Sequence, residues 1–188
     1  MNERRFAGDI ERLRDPERVA RLEIARVVER TLDGIYAQSL LDIGTGSGIW
    51  AEAFAAKGMR VGGVDVRADM LEAAQAYVPS GEFKVAPMET LPYADGAFDV
   101  VFMGHVLHEA DDLLKALGEA LRVSTLRVAV LEWPHMEQPF GPPLSHRLKT
   151  DDVLSLSRRA GAAAVAHSRL AHMDLYLLDK RNLNPFCI

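Results

Sequence analysis

Residues 40–50 read LLDIGTGSGIW: an apolar run carrying one acid, then glycines at positions 44, 46 and 48. No other stretch narrows the choice of fold as much. The run SLLDI (39–43) predicts a buried strand, and GIWAEAFAAK (48–57) predicts a helix ended by Gly58. A strand that turns into a helix over so few residues needs backbone at positive φ, which glycine adopts without steric cost. Glycine also lets a ligand reach the main chain, and the first N–H groups of a helix have no partner inside it.

The alternation continues downstream. RVGGVDV (60–66) predicts a strand, ADMLEAAQAYV (68–78) a helix stopped before Pro79, and EFKVA (82–86) a short strand. AFDVVFMG (97–104) is rich in β-branched and aromatic residues and predicts another strand. DDLLKALGEALR (111–122) places Leu113, Leu114, Leu117 and Leu121 on one helical face, and LRVAVLEW (126–133) predicts a buried strand. TDDVLSLSRRAG (150–161) reads as a helix with Thr150 as cap and Gly161 as terminator. AAVAHSRL (163–170) and MDLYLLDK (173–180) lie one short turn apart and predict an antiparallel hairpin.

Ahead of the first strand, DPERVARLEIARVVERTLDG (15–34) reads as one helix, capped by Asp15 with Pro16 at its first position. Strands alternating with helices predict an α/β architecture: a doubly wound, mostly parallel sheet covered on both faces, with right-handed crossovers. With 188 residues and no repeat, the expectation is one domain, residues 1–36 forming an N-terminal helical cover and 37–188 the core.

The net charge of −5 argues against non-specific binding to nucleic acid or anionic membranes. Cys187 is the only cysteine, which excludes a disulfide framework and cysteine-ligated zinc. The start, MNERRFAGDIERLRD, lacks the apolar segment of a signal peptide, and no apolar run is long enough for a membrane span. The expected location is the cytoplasm.

In parallel sheets, ligands bind beyond the carboxyl ends of the strands, where the glycines fall. Asp65 closes the second strand, and a carboxylate there can accept hydrogen bonds from the vicinal hydroxyls of a ribose. Capping of the following helix is its other reading. Asp42, inside the glycine motif, can orient the loop or hold an ammonium group. The motif is not the dinucleotide fingerprint G-x-G-x-x-G, whose third glycine would fall on Ile49.

Asp42, Gly44, Gly46 and Gly48, then Asp65, METLPYADGAFDVV (88–101) and HVLHEADD (105–112), together resemble the class I S-adenosylmethionine-dependent methyltransferases. Within them, the chain is most similar to the small enzymes related to the ubiquinone- and menaquinone-biosynthesis methyltransferases. The resemblance covers residues 39–133, and more weakly the N-terminal helix and GPPLSHRL (141–148). It implies a Rossmann-like seven-stranded sheet with an antiparallel last strand, S-adenosyl-L-methionine as cofactor, and in-line methyl transfer to a small or medium organic acceptor.

By the same resemblance, Gly44, Gly46 and Gly48 hold the methionine part, and Asp65 binds the ribose. Val66 and Met88 flank the adenine, and Gly104 sits near the methionine end. Relatives commonly read Gly-Asp-Ala-Glu where this chain has Ala86-Pro87-Met88-Glu89. Pro87 thus replaces the acid that would meet the adenine amino group, leaving the Met88 N–H for recognition.

His105 and His108 lie just past the fourth strand. A neutral imidazole there can take a proton from an acceptor that must lose one, which makes His105 the candidate catalytic residue. The other reading is that His105 hydrogen-bonds a loop carbonyl and His108 caps or covers the next helix. Residues 132–150, EWPHMEQPFGPPLSHRLKT, run too long for a simple connection. They offer Trp133, His135, His146 and Arg147, with Met136 and Phe140, as contacts for the acceptor; alternatively they form a proline-stiffened connection packed on the core. The spacing of His105, His108, Glu109, His135 and His146 does not suit a metal site, so no metal is expected.

Two other functions compete with methyl transfer. One is a non-catalytic S-adenosylmethionine-binding or partner-regulating protein with the same fold. The other, a nicotinamide-dependent oxidoreductase, is opposed by Ile49. The expected partner is a small-molecule methyl acceptor, not nucleic acid, and an oligomer is left open.

Overall fold

The structure, a computed structural model, describes Arg4, Phe6 and residues 8–181. Cys187 and the start of the N-terminal cover lie outside these residues. Strand β1 (Ser39–Ile43) occupies the middle of a seven-stranded sheet of order β3-β2-β1-β4-β5-β7-β6. Strands β2 (Arg60–Asp65), β3 (Glu82–Val85), β4 (Phe98–Gly104) and β5 (Ser124–Glu132) pair in parallel. Strands β6 (Ala164–Arg169) and β7 (Asp174–Asp179) form the predicted hairpin, with β7 antiparallel to β5. The chain builds outward from β1 to β3 and then returns to add β4 on the other edge of β1. The loops leaving β1 and β4 therefore diverge and open a crevice at the carboxyl end of the sheet.

Alternate residues of each central strand enter opposite layers. Leu41, Ile43, Val101, Met103, Val128 and Val130 meet Leu117 and Leu121 of one helix (Leu113–Val123) and Val153 of another (Thr150–Arg159). On the other face Leu40, Val61, Phe102 and Leu131 meet Trp50 and Phe54, from a helix at Ile49–Ala55, and Val27 and Val28. Burial on both faces explains why the strands read as near-continuous apolar runs.

In chain order the helices are α1 (Ile10–Leu13), α2 (Pro16–Arg21), α3 (Ile24–Leu32), α4 (Ile49–Ala55), α5 (Ala68–Tyr77), α6 (Leu113–Val123) and α7 (Thr150–Arg159). The expected single N-terminal helix is thus two. Asp15 does cap α2, accepting the Arg18 N–H at 3.0 Å, but the chain breaks at Glu23, whose φ is 48°. Leu22 is fully buried there, and the Glu23 carboxylate takes the Ala171 N–H at 2.8 Å while pairing with Arg26. Tertiary anchoring to the β6–β7 turn overrides local helix propensity. Thr150 also departs from expectation. It is the first residue of α7 rather than its cap, and its hydroxyl accepts a bond from the Tyr176 phenol at 3.3 Å. Among the described residues, no helix is long and apolar enough to cross a membrane.

Candidate active site

The glycine turn is held from three sides. The N–H groups of Gly44 and Thr45 donate to the Val64 carbonyl at 2.8 and 3.0 Å, tying the turn to β2. Gly44, Gly46 and Gly48 have φ of +66°, +51° and +76°. A Cβ on Gly44 would overlap the Val106 side chain, and one on Gly48 would lie 2.9 Å from the Cα of Ala74 in α5. Asp42 supplies the third hold. One of its carboxylate oxygens accepts the Thr45 hydroxyl at 2.7 Å and the Ala51 N–H at 3.2 Å, while the other has no partner among the described residues.

Full burial raises the pKa of Asp42 from 3.8 to about 7 against those two hydrogen bonds. The folded chain therefore keeps a proton that the unfolded chain releases, so this residue's contribution to stability is lost as pH rises from about 4 to about 7. Asp42→Asn keeps an oxygen acceptor and removes the titration. Urea unfolding between pH 4 and pH 8 should fall less steeply in the variant; identical slopes would refute the assignment.

A cavity of about 1020 Å³ opens beside the turn, at the carboxyl end of the sheet. Its wall includes Gly44, Gly46, Asp65, Val66, Met88 and Gly104, from four separate segments of sequence. Asp42 and Gly48 lie behind it. Asp65 ends β2, and its two oxygens accept the Gly46 N–H at 2.9 Å and the Arg67 N–H at 3.0 Å. Desolvation raises its pKa against these bonds. The Val66 N–H also favours the charged carboxylate, and with roughly four lone-pair sites Asp65 keeps acceptor capacity for a ligand. At Gly104 a Cβ would sit 2.5 Å from the Trp50 indole nitrogen, so only glycine lets Trp50 pack against the end of β4.

His105 follows at φ 58°, a conformation rare outside glycine. Its N–H donates to the Leu131 carbonyl at 2.7 Å, and its ring lies 4.8 Å from that of Trp133. Nε2 is 3.1 Å from the Met173 sulfur, and Nδ1 is buried without a partner among the described residues. The loop-carbonyl bond expected of its ring is absent among those residues. Burial, then the cations of Arg18 and His108, holds its pKa well below 6.5, so the ring is neutral.

His108 has a different setting. Its Nδ1 is 2.9 Å from the Glu132 carboxylate, which also accepts the His108 main-chain N–H at 3.1 Å. Desolvation opposes the charged ring, but Glu132 outweighs it and raises the His108 pKa. Both histidines lie on the cavity wall.

The loop after β5 brings Trp133, Pro139, Phe140 and Gly141 to the same wall. It does not bring His135, His146 or Arg147 there. His135 is exposed and His146 half-buried, away from the cavity. Arg147 is buried in its own loop, donating to the carbonyls of Pro134, Met136, Phe140 and Pro142 at 2.7–3.2 Å and to the Gln138 side chain at 2.6 Å. It holds the loop's shape. Among the described residues, no group of three His, Cys, Asp or Glu side chains is placed to hold a metal ion.

Sequence reasoning missed three residues here. Glu132 had a readable signal, an acid closing a central strand as Asp65 does. Arg18 and Arg21, both on the wall, had none. They arrive on α2, whose course depends on the break at Glu23. The N-terminal segment is fastened over the turn by Arg14, which donates to the Ser47 carbonyl at 2.8 Å and pairs with Glu52 at 2.7 Å.

Comparison with known proteins agrees with this architecture. Residues 41–125 match the family described as "Methyltransferase domain". A demethylmenaquinone methyltransferase of Renibacterium salmoninarum is 31% identical over 119 residues, covering 62% of this chain and 49% of that protein. The chain spans about half the length of the curated relatives it matches, 49–54% for the first three. Among solved structures, an S-adenosylmethionine-dependent methyltransferase from Aquifex aeolicus superimposes with a TM-score of 0.77 at 23% identity, covering 92% of this chain and 97% of that one. The [4+2]-cyclase SpnF gives 0.65 at 25% identity, covering 79% and 59%. The fold is that of a small class I S-adenosylmethionine-dependent methyltransferase, loosely related to the demethylmenaquinone type.

Proposed function

We propose that the protein is an S-adenosylmethionine-dependent methyltransferase acting on a small or medium organic acceptor. The observation that carries this reading is the meeting, on one cavity wall, of Asp65 with the bare main chain of Gly44, Gly46 and Gly104. That wall suits an adenosyl amino acid. Asp65 has acceptor capacity left for the ribose hydroxyls, Val66 and Met88 offer apolar surface to a purine, and a side chain at Gly44 would have no room beside Val106. Gly48 and Asp42 support the cradle from behind. When bound, S-adenosylmethionine supplies a methyl group already activated on a sulfonium.

The residues of the chain then have three tasks. Asp65, with the main chain of Gly44 and Gly46, fixes the cofactor; Trp133 and Phe140 wall the acceptor side and exclude water. Positioning of this kind is worth roughly 7–11 kcal/mol in favourable cases. His105, whose neutral ring lies on the cavity wall, is the residue assigned to take the proton of an acceptor that must lose one. Burial and the Arg18 cation make it a weak base, suited to an acidic acceptor proton.

The likeness to a protein named for a different reaction, a [4+2]-cyclase, supports a second reading, in which the cavity serves a role other than methyl transfer. Calorimetry with S-adenosylmethionine, S-adenosylhomocysteine and NAD, followed by labelled-methyl transfer to an acceptor panel, separates these. Binding of both sulfur ligands with turnover is the expected result; NAD binding without either of them would overturn it. Asp65→Ala should weaken S-adenosylhomocysteine by about 1–3 kcal/mol, the cost of a lost charged hydrogen bond. Unchanged affinity in a folded variant would remove Asp65 from the ribose site.

A further inference from the structure

The acceptor side of the cavity carries an unusual charge. Arg18 lies on its wall, half-buried, and no carboxylate pairs with its guanidinium among the described residues. Among the described residues its one head-group bond runs from Nη1 to the Leu13 carbonyl at 2.6 Å, which leaves most of its five N–H donors without a partner there. Asp15, beside it in sequence, is occupied with the Arg18 main-chain N–H instead. Gly104 and His105 line the same wall as Arg18, and the Arg18 cation, after burial, disfavours protonation of the His105 ring.

Arg21, one turn further along α2, reaches the same wall with its guanidinium 4.9 Å from the Phe140 ring centroid. Its partner Glu17 is 83% exposed, and a pair in water contributes little. The carboxylates on the wall offer these arginines no answer. Asp65 is bonded by Gly46 and Arg67, Glu89 by the Asp111 N–H, and burial pushes the Glu109 pKa up to about 7. Glu11, also on the wall, is exposed and pairs with neither arginine among the described residues. A partly desolvated guanidinium without a counter-charge costs free energy that a bound anion would recover.

We infer that the methyl acceptor carries an anionic group, held by Arg18 and Arg21, on an apolar aromatic body seated against Trp133 and Phe140. This rests on the methyltransferase reading of the same cavity and adds the chemical class of its acceptor. A second carboxylate with the same chemistry exists, that of the cofactor's methionine part, and the test separates the two.

The probes are 1-naphthoate, 1-naphthamide and 1-naphthylmethylamine, titrated by calorimetry into full-length protein saturated with S-adenosylhomocysteine. Naphthoate should bind at least about tenfold more tightly than the amide or the amine, and Arg18→Gln and Arg21→Gln should each weaken naphthoate about tenfold. Their affinity for S-adenosylhomocysteine should stay at the wild-type value. Equal binding of acid and amide, tighter binding of the amine, or no binding of the acid would each overturn the inference. Loss of S-adenosylhomocysteine affinity in Arg18→Gln would do so too, by assigning Arg18 to the cofactor. If circular dichroism shows Arg18→Gln misfolded, Arg21→Gln decides. Failure of the parent reading shows separately, as no binding of S-adenosylhomocysteine to the wild type; naphthoate against naphthamide on the free protein then decides the anionic site.

Discussion

Gly48→Ala should destabilise the protein by about 2–5 kcal/mol, the sum of about 1–2 for an L-residue held in the left-handed region and about 1–3 for overpacking. The two costs have separate causes. The backbone at Gly48 has φ of +76°, and the added methyl would lie 2.9 Å from both Cα and Cβ of Ala74. Those atoms belong to the rigid body of α5, so relief requires shifting a helix packed on β2 and β3. Gly46→Ala is the natural control. It shares the positive φ, but its methyl would meet only the tip of the flexible Leu13 side chain, at 3.0 Å. Urea unfolding should place Gly48→Ala well below Gly46→Ala; equal midpoints would mean that α5 does not bear on the turn.

Glu132→Ala should cost about 3–5 kcal/mol at pH 5.5, the usual penalty for leaving one member of a buried ion pair alone. Glu132 and His108 are 2% and 5% exposed, so solvent cannot take the place of the missing partner. The loss depends on pH in a definite direction. The His108 pKa is raised in the folded chain above its ordinary 6.5, so the pair's stabilisation is complete below 6.5 and disappears as pH rises through the raised value. The cost of Glu132→Ala should therefore shrink at pH 9. It should not vanish, because Glu132 also accepts the main-chain N–H groups of His108 and Trp133. A cost that is the same at pH 5.5 and pH 9 would show that His108 is neutral throughout.

The sheet was readable almost to the residue at β1 and β2, because apolar runs there are bounded by glycines and charged residues that fix where a strand can end. The hairpin of β6 and β7 was equally legible from its alternation and short turn. What could not be read depends on contacts between distant segments. Nothing local breaks the helix at Glu23; the carboxylate's bond to Ala171 does. Arg147 looked like a ligand-binding cation because its sequence neighbours are aromatic and proline-rich, yet those prolines expose carbonyls that its guanidinium collects. Trp133 was readable as a wall residue because it directly ends a central strand, where side chains must meet the crevice. Arg18 and Arg21 were not, since their place on the wall follows from how two short helices pack.

The most direct test is a crystal structure of the protein with S-adenosylhomocysteine. It should place the ribose hydroxyls at hydrogen-bond distance, roughly 3 Å, from the Asp65 carboxylate, with the amino-acid end over Gly44 and Gly104. A ribose bound away from Asp65, or a turn filled by the protein's own side chains with the ligand elsewhere, would contradict the assignment of this cavity.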